Sequence, residues 1–257
     1  MLIMIGLTGS GKTSTVERLA ERLPIAAVLP DRRELTDAFI IPTVLGARSG
    51  RLRDRRERFE ATAAFRNRYP GGMGEILAGL ECRIDLPEGL LVFDGLRGTA
   101  EVSFAVDNLP RALFAAFRVG PATRLSRLCG RDDAFDEMAV DGSAAGPQGG
   151  DRDYLQRIRD ILINQGFREL VGDADMDRTV NGLSDARVPL DTIARHAAIV
   201  VEESRYYDLD TTLAVLQRHA VERTTVVDAE ALSVDGLAEA VAAYARRTIA
   251  PDDAPTA

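Results

Sequence analysis

Gly6-Leu-Thr-Gly-Ser-Gly11-Lys12-Thr13-Ser14 is the stretch on which the reading of this chain turns. Before it, Met1 to Ile5 is a continuous apolar run, the pattern of a strand buried on both faces of a parallel sheet. After it, Val16, Leu19, Ala20 and Leu23 recur at helical spacing until Pro24 stops the pattern. The expected order is therefore strand, glycine loop, helix. Lys12 is the only lysine in the chain, the remainder of its 32 basic residues being arginines.

Gly6 to Thr13 fits G-x-x-x-x-G-K-[ST] at every fixed position, in the strand-to-helix context that gives the pattern its meaning. Glycines allow successive backbone N–H groups to curl around a phosphate with no Cβ in the way, and the helix beginning at Lys12 adds its positive end. A compact, mobile ammonium reaches β and γ phosphates where a planar guanidinium is too bulky and rigid, which explains the solitary lysine. Thr8, Gly9, Ser10, Gly11, Lys12, Thr13 and Ser14 are accordingly expected to bind ATP, with the Thr13 hydroxyl on Mg²⁺.

Working outward, further strands are expected at Ile25 to Leu29, Leu90 to Phe93, Ala112 to Val119 and Ala197 to Glu203, with Arg223 to Asp228 a short additional candidate. Helices are expected at Ala122 to Leu128, Tyr154 to Gln165, Thr211 to His219 and Val234 to Arg247, with Leu237, Val241 and Tyr244 on one face of the last. Such alternation implies an α/β fold of three layers, with a mainly parallel, five-stranded sheet. One domain is expected over residues 1–250, with an arm near 36–80, a helical lid near 124–165, a mobile loop over 141–150 and a disordered tail at 251–257.

Forty acidic residues against 32 basic ones give a net charge of −8, which disfavours a protein that coats nucleic acid. Two cysteines, Cys82 and Cys129, show neither metal-type spacing nor a disulfide framework and fit a reduced, cytoplasmic setting. No apolar run approaches the roughly 20 residues needed to span a bilayer, so no membrane partner is expected. A homodimer is compatible with the composition.

Leu90-Leu-Val-Phe93-Asp94 has the form of a buried strand that delivers an acid to the sheet's carboxyl edge, and Asp94 is expected to hold Mg²⁺ opposite Thr13. The alternative is a helix-capping aspartate. Arg97 stands where D-x-x-G of a GTPase would require glycine. Together, DGLRGTAEV (Asp94 to Val102) and RLSRLCGRDD (Arg124 to Asp133) resemble the nucleotide-kinase branch of P-loop proteins, in particular the dephospho-CoA kinase-like and adenylate kinase-like small ATPases. The resemblance covers residues 1–135 by motif. It implies a P-loop NTPase fold, lid arginines at Arg124, Arg127 and Arg131, and Arg97 on the acceptor; the proline of the adenylate kinase D-G-x-P-R segment is missing here.

Phosphoryl transfer needs charge stabilisation more than covalent chemistry, so Arg127 and Arg131, four apart at a helix end, are expected to act with Lys12 in catalysis. Eight arginines lie between Arg48 and Arg68, and of these Arg51 and Arg66 are expected on the acceptor. Asp31 follows the second strand; it orients an acceptor hydroxyl in one reading and caps a helix in the other. The sequence thus points to a kinase for a small-molecule acceptor: a nucleotide, nucleoside or coenzyme precursor. A P-loop ATPase switch is the alternative class, and a polynucleotide 5′-hydroxyl kinase a third.

Overall fold

A computed structural model describes residues 1–46, 55–81, 85–130 and 151–249. Arg51, Arg131, Cys82, the 141–150 stretch and the 251–257 tail lie outside them.

Five strands, β1 (Leu2–Ile5), β2 (Ile25–Val28), β3 (Leu90–Leu96), β4 (Leu113–Arg118) and β5 (Thr224–Asp228), form one sheet in the order β2-β3-β1-β4-β5. Every pairing is parallel. The central strand β1 is buried at all four residues, as its unbroken apolar run requires.

Alternation along the strands divides the core. Leu2 and Met4 join Val92, Leu113, Ala115 and Phe117 on one face, under α1 (Lys12–Leu19) and α12 (Val234–Ile249). Ile3 and Ile5 join Phe93, Phe114 and Ala116 on the other, under α5 (Gly72–Ala78), α6 (Thr99–Asn108) and α11 (Leu209–His219). The result is the three-layer α/β arrangement.

A third core holds no strand residue. Leu125, Leu128, Tyr154, Ile158, Phe167, Met176 and Val180 pack with Ile193, Ala197, Ile199 and Val200. They come from α7 (Pro121–Cys129), α8 (Asp151–Asn164), α9 (Asp173–Asp185) and α10 (Leu190–Tyr206), with Phe167 from a 3₁₀ turn at Phe167–Glu169. The expected strand at Ala197 to Glu203 is therefore the second half of α10. A short apolar run has no period of its own, and here helices surround it, so it is buried on nearly every side. His196 is a buried residue in the middle of this helix.

The arm opens with α2 (Arg32–Leu35), a π-helical turn at Thr36–Ile40 and α3 (Ile41–Leu45) without interruption. Pro42 lacks the N–H that would bond the carbonyl four residues back, which accounts for the widened turn just before it. The charged stretch continues as α4 (Arg55–Arg68). Among the described residues no helix is long and apolar enough to cross a membrane.

Candidate functional site

The connection from β1 runs to β2 on one side of it and that from β4 to β5 on the other, and such a reversal opens a crevice at the carboxyl ends of the strands. The glycine loop occupies this place. Gly9 and Gly11 have φ of 84° and 91°, a left-handed conformation that side chains with a Cβ rarely adopt. At Gly9 a Cβ would also lie 3.0 Å from the carbonyl oxygen of Arg124. Helix α1 starts at Gly11 with no side-chain cap and no acid in its first turn, so its positive end is uncompensated.

Lys12 folds back over this loop. Its ammonium donates to the Gly6 carbonyl at 2.6 Å, and to Leu7 O and Ser10 Oγ at 3.3 Å each. Burial, reinforced by the nearby Arg97 guanidinium, lowers its pKa to about 7. Across the crevice, the exposed Thr13 hydroxyl donates to Asp94 Oδ2 at 3.0 Å. One hydroxyl and one carboxylate, completed by phosphate oxygens and water, form a donor set suited to Mg²⁺. Among the described residues no three His, Cys, Asp or Glu side chains form a metal cluster. Asp94 lies inside β3 and caps no helix.

The arginines are more firmly held than a lid would require. Arg124 is buried, donating from Nε to Thr8 O at 2.8 Å and from Nη2 to Glu203 Oε2 at 2.7 Å. It is a fixture of the loop, which corrects its reading as a lid residue. Arg127 ends α7 and spans the cleft, with Nη1 3.4 Å from Ser10 O and Nη2 on Ala229 O, just beyond β5. Its Nη1 also lies 3.6 Å from where a Cβ on Gly11 would sit.

Glu203 was not anticipated. Fully buried on α10, it accepts from the Thr8 N–H at 2.9 Å, the Thr8 hydroxyl at 2.5 Å, Arg124 and Arg97 Nη1. A second buried carboxylate, Glu101 on α6, takes a two-pronged bond from Arg32 at 2.6 and 2.8 Å. Burial alone would raise the Glu101 carboxyl, but the Arg32 charge holds it below the usual carboxylate range. Arg32 also donates to Gly95 O at 2.9 Å and Tyr207 Oη at 3.2 Å. Arg66 approaches the same tyrosine ring, 6.0 Å from its centroid. Tyr207 is thus packed among arginines in the interior.

The structure therefore gathers Thr8 to Ser14, Asp94, Arg97 and Arg127 around one loop, with Arg66 farther along the arm. Asp31 is the exposed N-cap of α2: its Oδ1 accepts from the Glu34 N–H at 2.7 Å, and the Glu34 carboxylate accepts from the Asp31 N–H at 2.8 Å. Of the two readings of Asp31, the cap is the one its contacts describe. Asp31→Ala should cost about 1 kcal/mol in urea unfolding, as loss of a cap does, and leave nucleotide affinity unchanged. A large loss of affinity without loss of stability would instead assign this side chain to the site.

Chemistry rather than volume selects the site: a cavity of about 500 Å³ between α7 and α9 is lined by none of the loop residues. No protein-family model, curated protein or solved structure matches the chain.

Proposed function

We propose that this protein is a Mg²⁺-dependent, ATP-binding phosphotransferase of the P-loop type, acting on a small-molecule acceptor. The observation that carries the reading is the Thr13 to Asp94 contact of 3.0 Å, which joins residues 81 apart in sequence across the carboxyl ends of β1 and β3. The glycine loop supplies backbone donors, Lys12 a charge for the phosphate tail, and Thr13 with Asp94 a place for the cation. Bound Mg²⁺ would neutralise charge on the β and γ phosphates. Arg97, Arg124 and Arg127 surround the loop with cations that need not reorganise as charge develops, the feature that favours transfer over a binding role. Nucleotides, nucleosides and coenzyme precursors are the acceptor classes proposed, with the arm near 36–80 as their side of the site.

Calorimetry with Mg·ATP tests the reading. The parent protein is expected to bind it with a clear Mg²⁺ dependence, and Asp94→Asn to lose most of that dependence while still binding metal-free ATP. Consumption of ATP should be slow alone and rise on addition of the acceptor from a panel of nucleosides, nucleotides and coenzyme precursors. An intact, folded protein that takes up neither ATP nor GTP would end this proposal.

A further inference from the structure

Arg97 was read from the sequence as an acceptor ligand, yet its surroundings tie it to the donor side. Its Nη1 donates to Glu203 Oε1, and Glu203 in turn accepts both donors of Thr8, the third residue of the glycine loop. One carboxylate therefore couples the Arg97 guanidinium to the loop backbone. The Arg97 charge also acts on Lys12, whose charged form it disfavours. Its backbone N–H is held as well, 3.3 Å from Glu101 Oε2.

The donors of Arg97 are not all spent. Nε is buried and has no hydrogen-bond acceptor among the described residues. A guanidinium presents five N–H donors in a rigid fork. Leaving a buried one unpaired is costly, so a partner for this donor is called for. The Arg97 guanidinium carries a fixed positive charge, so an anion is the group that its remaining donor suits. The side chain of Arg97 is one-fifth exposed while that of Glu203 is fully buried, so the arginine can reach a ligand and the glutamate cannot.

We propose that Arg97 contacts the terminal phosphoryl group of a bound nucleoside triphosphate, and that Glu203 is the positioning residue that holds it against the loop. The inference rests on the nucleotide-binding reading above. Glu203 lies on α10, in the helical core that also contains α7, so the same contact makes the placement of Arg97 depend on how this helical layer sits on the loop.

The test compares Mg·ADP with a non-hydrolysable Mg·ATP analogue by calorimetry, because the ratio of their affinities isolates the terminal group. The parent is expected to favour the triphosphate by at least tenfold. Glu203→Asp keeps the buried charge but withdraws the carboxylate by one methylene; it should bring the ratio below threefold while ADP affinity stays within threefold of the parent. Arg97→Ala, which removes the contact without touching the carboxylate, should do the same, and Arg97→Lys should restore part of the preference. These two variants carry the test if the Glu203 variant does not fold. A merely structural role for Glu203 would lower both affinities together. A preference unchanged in folded Glu203→Asp and Arg97→Ala, or absent from the parent, overturns the inference while the nucleotide reading stands. Failure of the parent to bind either nucleotide overturns both.

Discussion

Lys12→Ala should weaken Mg·ATP binding by about 100-fold or more and abolish the proton uptake that accompanies binding in the parent. The magnitude follows from the bonds at stake. Hydrogen bonds to charged groups contribute about 1.5–3 kcal/mol each, and about 2.7 kcal/mol corresponds to 100-fold. Proton uptake follows from the ligand-free geometry, where Lys12 is buried against three loop oxygens and titrates near 7. A triphosphate favours the ammonium and raises that pKa, so binding must bring in a proton wherever the free lysine is neutral. About nine-tenths of it is neutral at pH 8 and about one-tenth at pH 6. Affinity should thus be greatest below about 7 and fall as pH rises through that value, approaching tenfold per unit until the bound-state pKa is reached. Calorimetry in buffers of different ionisation enthalpy reads this directly, with about one proton taken up per site at pH 8 and almost none at pH 6. An uptake unchanged in Lys12→Ala would place the titration on another group.

The legible parts of this protein were those in which one local rule had one physical cause. Met1 to Ile5 read as a buried strand because nothing polar interrupts it, and Gly6 to Thr13 read as the turn from that strand into α1 because its glycines admit the left-handed backbone found at Gly9 and Gly11. Asp94 was placed beside Thr13 by the same logic, as an acid following an apolar run, although β3 continues past it to Leu96. The sequence misled where the cause was tertiary. Ala197-Ala-Ile-Val-Val201 has the composition of a strand, and only its packing against α7 and α8 explains why it is helical. With that error went Glu203, since a carboxylate at the end of a strand gives no reason to face the loop. The signal was present: Ile193, Ala197, Val200 and Val201 recur at helical spacing, and their core face carries on to Glu203. Arg124 was found but misplaced, because a motif gives an arginine's position in the chain without saying whether its side chain swings or is locked.

The burial of Arg124 sets the largest expected effect on stability. Its side chain is 1% exposed and that of its partner Glu203 is fully buried, so neither charge can be rehydrated without opening the structure. Arg124→Met preserves the aliphatic stem but removes one of the two guanidiniums on Glu203 and the donor to Thr8 O. Breaking one partner of a buried pair costs about 3–5 kcal/mol, and Arg97 on the same carboxylate should keep the loss toward the lower end. The urea midpoint should fall with little change in slope, since the surface exposed on unfolding is nearly the same. Adding Glu203→Met in the same chain removes the stranded anion and should recover part of the loss, with a coupling of about 0.5–3 kcal/mol between the two sites. Recovery must be incomplete, because the Thr8 N–H and Arg97 then lose their acceptor. A folded Arg124→Met protein within about 1 kcal/mol of the parent would mean that this pair is hydrated in solution and that α10 is not anchored to the glycine loop through Glu203.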